Sequence, residues 1–235
     1  MTAAFSDAFA MLSEKPSGDE PRLRYSAPVT LVGGGPRRLG DLEMAMSVAP
    51  TVVCADGGAN GLSDVAPEAI VGDLDSLDDA ARWRETLGDR LIEINEQDST
   101  DLEKCLRVIA APLVVGVGFL GGRLDHLLAA GHALVSSERP AVLIGDEDIA
   151  FAPGLNCALE LKPGDRFSIF PMKPVTGLRS EGLRWSVEGL SLNVGGRIGT
   201  SNEVAAKRVR VSFDRPGALI IVPKARFASV VASYA

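Results

Sequence analysis

From Pro28 to about residue 150 the chain alternates short, almost continuously apolar runs with segments of helical spacing. The runs are Val29–Val32, Thr51–Cys54, Ala69–Val71, Leu91–Ile94, Leu113–Val117 and Ala141–Ile144. A strand with one wet face alternates apolar and polar residues. A strand buried on both faces does not, and these runs read as the second kind. Between them, Leu102, Cys105, Leu106 and Ile109 recur at i, i+3, i+4 and i+7, and Leu124, Leu127, Leu128 and Gly131 repeat that spacing. Thr100-x-x-Glu103 has the form of a capping box opening the first of these helices. Strand and helix in alternation predict a doubly wound, mostly parallel α/β domain over residues 28–150.

After Phe151 the helical spacing stops. Pro153, Gly154, Pro163, Gly164, Pro171, Pro174, Gly177, Gly182, Gly189 and Gly195–Gly196 punctuate short strand-like pieces such as Phe167–Phe170, Val209–Phe213 and Ala218–Val222. This predicts a small C-terminal antiparallel β-sandwich over residues 151–235. Residues 1–27 carry Pro16, Gly18 and Pro21 without sustained periodicity and are expected to form a mobile N-terminal extension.

Charge divides the chain in the same place. Residues 1–150 hold 25 Asp+Glu against 12 Lys+Arg, and residues 151–235 hold 6 against 12. The overall balance is −7. Acidic helices coating an α/β domain give such a bias; so do carboxylates that hold a divalent cation, with basic residues meeting an anionic substrate. The acidic total argues against a nucleic-acid coat. No stretch approaches the roughly 20 apolar residues of a membrane span, and the N-terminus lacks a basic start followed by a long apolar run. Cys54, Cys105 and Cys157 make neither a disulfide framework nor a zinc knuckle, which points to a cytoplasmic setting. Two histidines exclude a histidine-rich metal site.

In an open α/β sheet, ligands bind beyond the carboxyl ends of the strands. Gly33-Gly34-Gly35 follows the first run, Asp56-Gly57-Gly58-Ala59-Asn60 the second and Gly72-Asp73-Leu74-Asp75-Ser76 the third. Gln97-Asp98-Ser99-Thr100-Asp101 lies just beyond the fourth, and Gly121-Gly122-Arg123-Leu124-Asp125-His126 follows the fifth. Each piece has a plain structural use. The glycines suit a tight turn, Thr100 a helix cap and His126 a packed helix position. The glycine run is no P-loop, because Gly35-Pro36-Arg37-Arg38 lacks the Gly-Lys-Ser/Thr ending, yet its backbone N–H groups are candidates for a phosphate. Asp73 and Asp75 flank one residue, so in extended chain both point one way, as a cation requires or a solvated turn permits. Arg123 beside a phosphate would bind it in a fork that lysine cannot offer.

The motifs taken in order resemble the thiamine pyrophosphokinase family: ADGGAN (55–60), PEAIVGDLDSL (67–77), QDSTDLEKCL (97–106), GGRLDHLLA (121–129), GLRWSV (182–187) and TSNE (200–203). The resemblance covers roughly residues 28–223. It implies an N-terminal α/β domain and a C-terminal β-sandwich. It also implies transfer of the pyrophosphoryl group of ATP to the hydroxyl of thiamine, giving thiamine diphosphate and AMP. By the same resemblance Asp73, Asp75 and Asp101 hold Mg²⁺ and ATP as the catalytic and metal-binding carboxylates. Asp56, Gln97, Thr100, Arg123 and Asp125 line the nucleotide and its phosphates. Trp185, Ser201 and Asn202 help close the thiamine and nucleotide pocket. A homodimer with sites across its interface is implied as well. Ser186 stands where many relatives carry proline, and Gly199 where a Ser/Thr-rich segment is common. Two other readings fit the same residues: a pyrophosphokinase for a pterin-type acceptor, and an ATP-binding module without turnover.

Overall fold

The computed structural model describes residues 21–234. The expected extension lies outside the described residues up to position 20, but its end is structured. Leu23–Arg24 (β1) pairs in parallel with Ile109–Ala110 (β6), and Leu23 is buried. The apolar pattern hides this strand because it is two residues long.

The apolar runs form the centre of one sheet. Val29–Val32 (β2), Thr51–Ala55 (β3), Ala69–Gly72 (β4), Leu91–Glu93 (β5), Val114–Val117 (β7) and Ala141–Ile144 (β8) lie parallel in the order β8-β7-β2-β3-β4-β5. Every residue of β2, β4, β7 and β8 is buried, as unbroken apolar runs require. Val32 is level with both Cys54 and Val117, so the loops after β2, β3 and β7 leave the sheet along one rim. Among the described residues the α-helices are Asp41–Met46 (α1), Ala80–Leu87 (α2), Asp101–Val108 (α3), Leu124–Ser136 (α4) and Phe227–Ala232 (α5). Among the described residues, no helix is long and apolar enough to cross a membrane.

The expected boundary at residue 150 falls inside a strand. Asp148–Phe151 (β9) returns antiparallel along β8, and Ala218–Pro223 (β16), Arg166–Pro171 (β11) and Gly199–Glu203 (β14) continue outward from it. One ten-stranded sheet therefore runs through both halves of the chain. The physical reason is the open edge of β8, whose unpaired backbone groups β9 satisfies. A second sheet, Asn156–Glu160 (β10), Arg208–Phe213 (β15), Val175–Glu181 (β12) and Ser191–Leu192 (β13), completes the C-terminal sandwich. Its strands bury alternate residues. Val209, Val211 and Phe213 share one core with Phe167, Ile169 and Ile220 of the long sheet.

The helical spacings hold, but only one stripe is covered. On α3, Leu102, Cys105, Leu106 and Val108 are buried. On α4, Leu124 is 70%, Leu127 40% and Leu128 52% exposed, and the burial falls on Ala130, Gly131, Ala133 and Leu134 instead. His126, expected to pack, is exposed too.

Candidate active site

Three carboxylates meet at the rim of the sheet. Asp56 leaves β3, and Asp73 and Asp75 follow β4; each offers an oxygen within 4.8 Å of the others. Asp73 and Asp75 do not share a face through extended chain as expected. Leu74 between them takes a left-handed conformation (φ 67°), which sinks its side chain into the core. Asp56 is also left-handed (φ 42°), and Gly72 lacks the Cβ that would come within 2.7 Å of the Asp56 Cβ. Such conformations cost of order 1–3 kcal/mol and persist only where surroundings impose them. Here the Ser76 N–H donates to Asp56 Oδ2 at 3.2 Å, and Asn60 bonds both the Ser76 carbonyl and the Asp78 N–H.

Asp56 is buried, and its Oδ1 has no hydrogen-bond partner. Burial pushes its carboxyl above the ordinary range, and the neighbouring charges of Asp101, Asp73 and Asp75 push it further. A buried, unpaired carboxylate oxygen facing two more carboxylates is a donor set suited to a divalent cation. Asp56 thus joins Asp73 and Asp75 in the tightest group of carboxylates, and the charge of Asp101 acts on it from beside that group.

Asp101 is tied to the same group through the buried Lys104. Lys104 is 2% exposed, and its Nζ lies 3.1 Å from Asp73 Oδ2 and 3.6 Å from Asp101 Oδ1. Gln97 Nε2 donates to the same Asp73 oxygen at 3.1 Å. Burial alone would raise the Asp73 carboxyl, but the bonds from Lys104 and Gln97 prevail and hold it below its ordinary value. Asp101 is raised, by burial first and by Asp73, against the pull of Lys104. Thr100 is the N-cap of α3, and both halves of the capping box with Glu103 are made. Glu96 ties down the turn before it, accepting from the Asp98 and Ser99 N–H groups and from Arg107.

The glycine loop is a packing device more than a phosphate cradle. Gly33 and Gly35 spend their N–H groups on the carbonyls of Val117 and Gly118, and a Cβ on Gly35 would meet the Gly118 oxygen at 2.6 Å. Arg123 and Asp125 sit exposed at the start of α4 and pair with each other, Arg123 Nε donating to Asp125 Oδ1 at 3.1 Å. That bond raises the arginine and lowers the aspartate. Among the described residues, no hydrogen bond or ion pair links them to the three carboxylates.

Trp185, Ser201 and Asn202 form a separate group on the sandwich. Asn202 is buried and clamps the Trp185 backbone, accepting from its N–H at 3.2 Å and donating to its carbonyl at 2.7 Å. Ser201 is left-handed (φ 59°), with its N–H on Ser168 Oγ at 3.0 Å. Trp185 is 54% exposed and borders a cavity of about 180 Å³ with Val187, Leu190, Leu192, Ile198 and Asn202.

Residues 42–148 match the family profile described as thiamin pyrophosphokinase, catalytic domain, and residues 155–217 the profile described as thiamin pyrophosphokinase, vitamin B1 binding domain. Thiamine pyrophosphokinase 1 of Oryza sativa subsp. japonica is 30% identical over 197 residues, covering 69% of this chain and 75% of that protein. The chain belongs to the thiamine pyrophosphokinase family. Thiamine pyrophosphokinase 1 of Arabidopsis thaliana is 28% identical over 208 residues, covering 69% of this chain and 74% of its own length. The thiamin pyrophosphokinase structure from Candida albicans shares the fold, with a TM-score of 0.68 at 18% identity over 89% of this chain and 97% of that one. The yeast enzyme's structure gives 0.69 at 16% identity over 88% and 93%. Within this thiamine pyrophosphokinase-family chain, the catalytic-domain match contains Asp56, Asp73, Asp75, Gln97, Asp101 and Lys104. The B1-binding match contains the Trp185 cavity.

Proposed function

We propose that this chain transfers the diphosphoryl group of ATP to the hydroxyl of thiamine, releasing AMP. The observation that carries the reading is the trio Asp56, Asp73 and Asp75, with one buried carboxylate oxygen unpaired, in a chain matched by catalytic and B1-binding profiles. Asp73, Asp75 and Asp101, with Asp56 beside them, would hold Mg²⁺, which when bound offsets the charge of the triphosphate. Lys104 and Gln97 orient the Asp73 carboxylate, and Asp101 shares Lys104 with it. Arg123, released from Asp125, supplies a fixed cation to phosphate oxygens, and Thr100 presents the amino end of α3 to them. Trp185 and Asn202 form part of the wall against which the acceptor rests, and Ser201, next to Asn202, holds the strand there through its N–H bond to Ser168.

Among the described residues, the cavity at Trp185 and the carboxylate group share no residue, an arrangement that a second copy bringing one to the other would complete. The exposed leucines at the start of α4, beside Arg123 and Asp125, offer an apolar face for it. We therefore propose a homodimer with the site at its interface. A cytoplasmic setting is supported by the three free, buried cysteines.

The test is AMP release from Mg–ATP with and without thiamine, resolving AMP from ADP. Thiamine-dependent AMP together with a product of the mass of thiamine diphosphate is expected. ADP would exclude diphosphoryl transfer, AMP formed only with a pterin alcohol would change the acceptor, and ATP binding without turnover would leave a binding module. Asp73→Asn should lower turnover by about 100-fold or more while thiamine binding changes little. Turnover within a few-fold of the wild type would remove Asp73 from the site.

A further inference from the structure

The lip of the Trp185 cavity carries more positive charge than a cationic acceptor calls for. Arg184 lies over the Trp185 ring, its guanidinium carbon 4.9 Å from the centroid, and its charge is met by Glu203 at 3.1 Å. Arg197 also lines the cavity, and among the described residues its guanidinium has neither an ion pair nor a hydrogen bond. Its backbone is fixed. The Asn193 N–H donates to the Arg197 carbonyl at 2.9 Å and the Gly196 N–H to the Asn193 carbonyl at 3.2 Å, closing a tight turn with Gly195 left-handed (φ 84°). The cavity thus combines apolar walls from Val187, Leu190, Leu192 and Ile198 with a solvent-exposed guanidinium that meets no carboxylate among the described residues and stands on a hydrogen-bonded turn.

Thiamine carries a quaternary thiazolium nitrogen, so an unpaired arginine at this lip works against it. Thiamine diphosphate presents the same ring with an anionic tail that an arginine fork binds through two parallel N–H···O bonds. Resting on the reading above, we propose that Arg197 is a specificity-determining residue that recognises the diphosphate, so that the Trp185 cavity holds the phosphorylated product more tightly than the unphosphorylated acceptor. Arg184 differs in being engaged by Glu203 and in lying over the Trp185 ring, and it is not among the residues that line the cavity. The acceptor enters against a cation, and the phosphoryl group it gains becomes the partner that the cation lacked.

The test is isothermal titration calorimetry of the full chain with thiamine and with thiamine diphosphate at low and high salt, for the wild type, Arg197→Gln and Arg197→Lys. The wild type is expected to bind the diphosphate roughly tenfold or more tightly than thiamine, with the preference shrinking in salt. Arg197→Gln should lose most of that preference by weakening the diphosphate alone, and Arg197→Lys should keep part of it. An unchanged preference in Arg197→Gln, or an equal loss for both ligands, would overturn the assignment while leaving the acceptor intact. Failure of the wild type to bind either ligand would overturn the thiamine reading itself, and this assignment with it.

Discussion

At the scale of single residues, the informative side chain is the one that spacing conceals. Asp73, Asp75 and Asp101 are legible because carboxylates clustered after buried strands are unusual. Lys104 reads as an ordinary surface lysine three residues along a helix from Asp101. Only the folded sheet, which lays Asp73 from the end of β4 over that turn of α3, makes it a buried counter-ion between two carboxylates. Asp56 was legible as a site residue but not as the third member of the trio, because its approach depends on two left-handed residues and on the absence of a side chain at Gly72. Removing one partner of a buried pair leaves the other charge uncompensated. Lys104→Met should destabilise the fold by about 3 kcal/mol, and adding Asp73→Asn to it should recover part of that loss. Urea unfolding of the two single variants and the double variant reads the coupling. Strict additivity would mean that the two side chains do not act together.

Secondary elements show what a pattern can and cannot say. The α3 capping box was legible at Thr100 and Glu103, since those types at that spacing bond only near the helix start. The spacing on α4 was equally regular, yet its leucines are exposed. Periodicity marks an apolar stripe without saying whether this chain or another copy covers it. Glu96 carries no sequence signal, because its bonds to Ser99 and Arg107 exist only once the turn before α3 has formed. Those bonds, Ser99 first and Arg107 next, hold its carboxyl at about 2, below the ordinary 4.5. With the folded value depressed, the stabilisation is complete above about pH 4.5 and fades as the pH falls through about 2. For this partly exposed group the effect is about 1–2 kcal/mol after solvent screening. Glu96→Gln should therefore be less stable than the wild type at pH 7, and the gap should close between pH 4.5 and 2. Urea midpoints across that range measure it, and a gap that ignores pH would detach Glu96 from the stability of this turn.

For the molecule as a whole, the change of pattern at Phe151 marks a change of secondary structure but not a break in the sheet. Nothing in the residues of β9 announces that it pairs with β8 on one side and β16 on the other, because both partnerships are made far along the chain. The two halves are joined by that unbroken ladder and by ion pairs across it. Lys224, just past β16, meets the buried Asp41 of α1, and Arg166 of β11 meets Asp148 of β9. Parting the halves would strip hydrogen bonds from β9 and leave the Asp41 carboxylate buried without its cation, both costly. The halves should therefore unfold together. Trp83 on α2 and Trp185 on the sandwich report on them separately, through Trp185→Phe and Trp83→Phe variants. Their urea transitions, followed by fluorescence, should coincide, and Lys224→Met should shift both midpoints downward by the same amount. Separate midpoints, or a shift confined to one tryptophan, would mean that the ten-stranded sheet does not act as one cooperative unit.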